Sequence, residues 1–172
     1  MNGIEMLVRD HRDLEKLFRQ YEGAPDRDLV RRIGEALSAH AEVERTAFYP
    51  RLREGLPGGD PLADAALREH EEVEEILQRL ENISGDDPAL DGEMKILIQR
   101  VRRHVAEEES SLFLHLDERL PEPQLDELGE KIETERRLGP AAAAPVPPRR
   151  AERRARRSRR TSRRRPGAGL KR

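Results

Sequence analysis

Apolar residues recur along the first 120 positions with a helical period, in four long runs. Ile4, Leu7, Leu14 and Phe18 mark the first, and Leu29, Ile33, Leu37 and Ala47 the second. Ala63, Leu67, Val73, Leu77 and Leu80 mark the third, and Met94, Leu97, Val101, Leu112 and Leu116 the fourth. Such spacing puts each set on one side of an α-helix, so each run predicts a helix with one buried face. Breaks rich in Gly, Pro and Asp separate the runs: GAPDRD (23–28), GLPGGDP (55–61) and SGDDP (84–88), with PEP (121–123) closing the fourth. Two breaks finish in Asp-Pro, at Asp60-Pro61 and Asp87-Pro88. That reads as a capping carboxylate followed by a proline where no N–H is needed. Pro50 falls inside the second run and should kink that helix or stop it early.

Short links between long helices make neighbours antiparallel. The expected fold is therefore all-α, an up-down-up-down four-helix bundle over residues 1–120. A short fifth helix is expected within 121–138, from about Gln124 to Leu138. Residues 139–172 carry no apolar period and cannot bury enough surface to offset their ordering entropy, which predicts a disordered tail.

Composition adds a charge asymmetry. Of 172 residues, 40% are charged and 3% aromatic, a balance that suits solvated helices better than a β-sandwich. The formal net charge is −2, yet residues 139–172 hold 13 of the 33 Lys/Arg and 1 of the 35 Asp/Glu. The tail is thus +12, and the body, with 20 bases and 34 acids, is −14. The tail's RRAERRARRSRRTSRRR pairs well with phosphate but lacks aromatics for base stacking. It predicts sequence-independent, salt-sensitive contact with nucleic acid; an anionic membrane surface or the acidic body itself are alternative partners. RRTS (159–162) would also suit a basophilic kinase.

The absence of cysteine excludes disulfides, thiolate nucleophiles, iron–sulfur clusters and Cys-type zinc sites. The opening MNGIEMLVRDHRDLEKL has no signal-peptide h-region. No run approaches the roughly 18 apolar residues of a membrane span, so a soluble, cytoplasmic protein is expected. No nucleophile triad, phosphate-binding glycine loop or DNA-reading motif is present.

The histidines carry the chemistry. His11, His40, His70 and His104 each fall in the apolar stripe of a different predicted helix. Three have a glutamate four residues on, at Glu44, Glu74 and Glu108, so each pair points to one region of space. A single inward histidine is usually a core residue bonded to a carbonyl, and a following glutamate is common in an acidic helix. Four helices with one inward histidine each would need four private hydrogen-bond solutions in one core. A shared metal resolves them together, replacing lost hydration and balancing buried carboxylates. Imidazole and carboxylate without sulfur suit iron, manganese or zinc. The donor set exceeds what one ion accepts and fits two ions bridged by carboxylates, with Glu44 and Glu108 as bridges.

A lone His on the first helix, HxxxE on the second, His on the third and HxxxE on the fourth resembles the hemerythrin-like HHE cation-binding domain. RDHRDLEKLF near the start and HAEVERTAFYP on the second helix agree with it, and the resemblance covers about residues 1–120. It implies a non-haem di-iron centre, two Fe ions held by His11, His40, His70 and His104 with Glu44 and Glu108 bridging, that meets O2 or a related small molecule such as nitric oxide or peroxide. In one respect the chain departs from the oxygen carriers of that family. Their third helix offers HxxxH; here it is HEEVE, and Glu74 stands where a fifth histidine would be. Glu74 is therefore either a further ligand or a solvated acid, and reversible oxygen transport is not carried over.

Binding or sensing of a small molecule is the expected function. A peroxidase-like or catalase-like di-iron enzyme, and a bundle without redox metal that acts on nucleic acid through its tail, are the alternatives. His115 lies eleven residues after His104, roughly 16 Å along a helix, and is expected to stay outside the centre. Phe18, Phe48, Tyr49 and Phe113 are candidates to line it, with Tyr21 and Tyr49 as hydrogen-bond donors.

Overall fold

In the computed structural model, which describes residues 1–84 and 87–138, the chain is all-helical, with no strand among the described residues. The expected disordered tail, residues 139–172, lies outside the described residues, as do Gly85 and Asp86 of the third break. Five continuous helical runs follow one another. They are α1 (Gly3–Gly23), then α2 (Arg27–Val43) continuing through a π-helical turn (Glu44–Phe48) into α3 (Tyr49–Gly55), then α4 (Gly59–Asn82). Next, α5 (Ala89–Glu107) continues through a second π turn (Glu108–Leu112) into α6 (Phe113–Arg119), and α7 (Glu122–Leu138) closes the described chain. None of these helices is long and apolar enough to cross a membrane.

Local chemistry sets the helix starts. Asn2 Oδ1 accepts from the Ile4 N–H at 2.8 Å and Asp26 Oδ1 from the Asp28 N–H at 3.3 Å. At the third break Asp87 Oδ1 accepts from the Ala89 N–H at 2.9 Å, beside Pro88. Asp60 takes a different place from the expected cap. Helix α4 begins two residues earlier, after Gly58 in the left-handed region (φ 79°), and Asp60 instead receives Arg53 at 2.9 Å. Gly59 packs on α3 so closely that a Cβ there would meet the Leu52 carbonyl at 2.3 Å. Pro50 does not stop its helix, which runs on to Gly55. The π turn directly before it widens the backbone where an α-helix would press the proline ring on the carbonyl four residues back.

Two apolar clusters form the core. One gathers Leu7, Val43, Phe48, Leu52, Ala66, Leu112 and Leu116 and includes Leu125, Leu128 and Ile132 of α7, so α7 shares this core. The other gathers Leu14, Phe18, Ile33, Leu37, Ile76, Leu80, Met94, Leu97 and Val101. Helices α1 and α4 pass from the first cluster to the second; α2 passes from the second to the first, and α5 does so through its π turn into α6. Each crossing carries a buried histidine: His11 between Leu7 and Leu14, His40 between Leu37 and Val43, His70 between Ala66 and Ile76, His104 between Val101 and Leu112. A polar layer therefore divides the core. Burying each leucine of the flanking clusters stabilises the fold by about 1.5–3 kcal/mol, which is what allows one costly layer in between. On α4 the stripe residues Leu67, Val73 and Leu77 are only half-buried, because the side of α4 facing α2 borders open grooves.

Candidate metal centre

The four histidines aim their Nε2 atoms inward in two pairs. His11 Nε2 and His40 Nε2 lie 3.1 Å apart, and His70 Nε2 and His104 Nε2 2.9 Å apart. Glu44, fully buried, reaches both pairs: Oε1 is 3.2 Å from His40 Nε2 and 3.8 Å from His11 Nε2, while Oε2 is 3.3 Å from His70 Nε2. Glu108, 1% exposed, also spans them, with Oε2 at 3.5 Å from both His11 Nε2 and His104 Nε2. Each carboxylate opens one of the two π turns. Such turns commonly mark functional positions inside helices. Two donor groups result, His11/His40/Glu44/Glu108 and Glu44/His70/His104, and Glu44 belongs to both.

Carboxylates also stand behind the rings, a feature the sequence reading missed. The Glu109 carboxylate lies 2.8 Å from His11 Nδ1, and that of Glu69 lies 2.7 Å from His104 Nδ1. Asp10 approaches His40 Nδ1 to 3.7 Å, beyond hydrogen-bond range, and is itself tied to Arg136 of α7. Each is a chain neighbour of a residue in the inner cluster, Asp10 of His11, Glu69 of His70 and Glu109 of Glu108. Glu109 and Glu69 hold hydrogen on Nδ1 of His11 and His104 and so turn Nε2, the atom a metal would bind once deprotonated, inward.

Tyr49 enters the centre itself. Its buried hydroxyl donates to Glu108 Oε1 at 2.8 Å and lies 3.0 Å from His70 Nε2. Burial, then the charges of Glu44 and Glu108, push this phenol far above its ordinary range, so it acts as a neutral donor. Phe113 stacks on His11 at 5.5 Å between centroids, and Phe48 meets Phe113 edge-on. Phe18 and Tyr21 belong to the second apolar cluster. His115 is exposed on α6, outside both donor groups. Glu74 is likewise not brought into either group: its side chain is exposed on α4, at the rim of a pocket that also touches His40, His70 and His104.

Burial alone would push the His11 imidazole down; the nearby Glu108 and Glu44 carboxylates outweigh it and raise it to about 10. For His40, burial is again opposed by the Glu44 charge and by Asp10, and the result is about 9. Burial would raise the Glu44 carboxyl, but the His40 charge and contacts from His11, His40 and His70 hold it well below its usual range. Protonated rings thus offset the carboxylates only in part. Both oxygens of Glu44, Glu108 Oε2 and His40 Nδ1 are buried with no hydrogen-bond partner among the described residues. Orphaned buried carboxylate oxygens cost several kcal/mol, and a cation among them removes that cost, so the donor set fits a metal.

Comparison with known proteins agrees. The family model described as Hemerythrin HHE cation binding domain matches residues 2–116. A protein of Nostoc sp. (strain PCC 7120 / SAG 25.82 / UTEX 2576) named "DNA nickase" is 28% identical over 131 residues, which are 74% of this chain and 37% of that protein. The chain thus spans little more than a third of that relative's length. No solved structure matches this chain.

Proposed function

Because the chain belongs to the Hemerythrin HHE cation binding domain family, we propose that it is a non-haem di-iron protein that binds or senses O2 or a related small molecule, nitric oxide or peroxide. The observation that carries this reading is the shared position of Glu44, with one oxygen toward the His11/His40 pair and the other toward His70. His11, His40, Glu44 and Glu108 would hold one ion, and His70, His104 and Glu44 a second, with the Tyr49 hydroxyl beside them as a hydrogen-bond donor to Glu108. Iron held there would supply a redox couple for a small molecule to meet. The protein's part is to hold the rings through Glu69 and Glu109, donate a proton-bearing hydroxyl from Tyr49, and keep water out with Phe48 and Phe113. The alternating passage of α1, α2, α4 and α5 between the two apolar clusters supports an up-down-up-down four-helix bundle around the centre, with residues 1–120 as its domain and α7 packed onto it.

Anaerobic loading with Fe(II), a metal count per chain and a visible spectrum after air test the reading. Two irons per chain with new absorption bands are expected; a folded protein that takes up no stoichiometric iron would overturn it. Steady consumption of peroxide by the loaded protein would place it among the enzymes rather than the sensors. A second reading, contact with nucleic acid, is favoured by the arginine-rich sequence of residues 149–165 and by the relative named DNA nickase. Binding to duplex DNA that weakens steeply with salt and does not depend on sequence is its expected signature. Supercoiled plasmid incubated with the loaded protein then distinguishes nicking from binding alone.

A further inference from the structure

Three of the four inward histidines have a carboxylate behind the ring, and His70 does not: among the described residues no hydrogen bond or ion pair reaches its Nδ1. A pocket of about 30 Å³, room for about one water, touches His70 together with His40 and His104. It shares Ser38, Ala41, His70 and Glu74 with an open groove of about 820 Å³ lined by α2 and α4. The groove beside Arg136 shares one lining residue with the pocket, His40, and that beside Arg12 shares two, Val101 and Val105. Small side chains, Ser38 and Ala41, form the α2 side of the throat. Glu71, Glu74 and Glu135 line the α2/α4 groove, and the one Lys or Arg among its described lining residues, Arg45, is already paired with Glu42.

We propose that this α2/α4 groove is the route by which a divalent cation reaches the buried centre, and that Glu74 passes the ion inward to His70 and Glu44. The inference rests on the reading of the core as a metal centre. The destination is marked by Glu44, fully buried, with both oxygens unpartnered and Oε2 at 3.3 Å from His70 Nε2. A cation must shed water before it enters, and successive carboxylates replace that water one step at a time. A groove with an excess of one charge sign also concentrates counter-ions and raises their on-rate by about 10- to 1,000-fold. Glu74 on this account is a residue of passage, which explains why it is solvent-exposed although it shares the helical spacing of Glu44 and Glu108.

Stopped-flow loading of the full chain with Co(II), followed by its visible absorption, separates rate from capacity. The combined Glu71→Gln, Glu74→Gln, Glu135→Gln variant should load about tenfold more slowly than wild type with the same number of ions bound at the end. Ala41→Leu, which narrows the throat without altering charge, should also slow loading. Asp117→Asn, Glu127→Gln and Glu130→Gln together, which remove equal charge elsewhere on the surface, should leave the rate within about twofold. An unchanged rate in the groove variants, or equal slowing in the control set, overturns the route. Loss of an ion with Glu74→Gln alone makes Glu74 a ligand and overturns its role in passage. Wild-type protein that binds no Co(II) at equilibrium overturns the metal-centre reading, and the route with it.

Discussion

Removing the Tyr49 hydroxyl separates the cost of an orphaned core from the needs of a filled one. Tyr49 is 1% exposed, and its hydroxyl is the donor that reaches Glu108 Oε1, at 2.8 Å, while Glu108 Oε2 already lacks a partner. Tyr49→Phe keeps the ring and its packing and leaves both carboxylate oxygens unpartnered. A hydrogen bond to a charged group contributes about 1.5–3 kcal/mol, and the doubly orphaned carboxylate puts the loss near the top of that range. For a body of this size about 3 kcal/mol lowers Tm by about 10 °C. In the metal-loaded protein a cation already satisfies Glu108, so the same change should cost about 1 kcal/mol. The difference of about 2 kcal/mol implies that the variant binds the cation about 30-fold more tightly than wild type does. Urea unfolding of wild type and variant, metal-free and Zn(II)-loaded, measures all four corners. A cost below about 0.5 kcal/mol in the metal-free pair would refute the orphaned-core argument. A cost in the loaded pair equal to or above the metal-free one would refute the claim that the cation takes over from the hydroxyl.

With His11 raised to about 10 and His40 to about 9, this pair holds at least one extra proton at pH 7 in the metal-free fold, so metal loading should release at least one proton and tighten as pH rises from 7 to 9. Calorimetry in buffers of different ionisation enthalpy counts them, and zero release would contradict the assignment. The same raised values stabilise the metal-free fold fully below the unfolded imidazole value of 6.5, and that contribution is lost as pH climbs through 9 to 10. The metal-free urea midpoint should therefore fall across that window and stay flat in the loaded protein. His40→Ala should weaken metal affinity far more than His115→Ala, by competition against a chromogenic chelator; equal effects would sink the ligand assignment. A chain ending at Leu138 should load as much metal as the full chain, because the donors and both apolar clusters lie before that residue; a lower metal count would implicate the tail in the centre.

What was legible in the sequence was periodicity. The four inward histidines follow from one rule, apolar spacing with a single polar exception per helix, and the structure collects all four with Glu44 and Glu108. Glu74 obeys the same i+4 rule and stays outside. Spacing places it within 40° of His70 around α4, but not on a covered side, and that side opens into the α2/α4 groove. The π turns were hidden because one added residue barely disturbs a helical pattern; Pro50 was the visible trace of the first. Thr46 and Ser110 return their hydroxyls to the carbonyls of Glu42 and Ala106, a local device that periodicity does not register. The outer carboxylates escaped because each looks like a solvated neighbour of an inner residue, and its ring partner sits on a different helix.

Splitting a core of this size with six buried polar residues makes sense only if something returns the lost stability. Clusters on either side hold the helices together whether or not metal is present, so the layer can stay assembled with protons on His11 and His40 standing in for positive charge. Those protons sit on the nitrogens a metal needs, and Glu44 keeps both oxygens unpartnered even so. The metal-free fold is thus a preformed but imperfectly neutralised receptor, held at positive cost by the apolar clusters around it. Cation binding would replace the imidazolium charge with positive charge that the inner donors can share. Fold stability and metal affinity are then two readings of one equilibrium, and a perturbation of the centre that leaves both unchanged would have missed it.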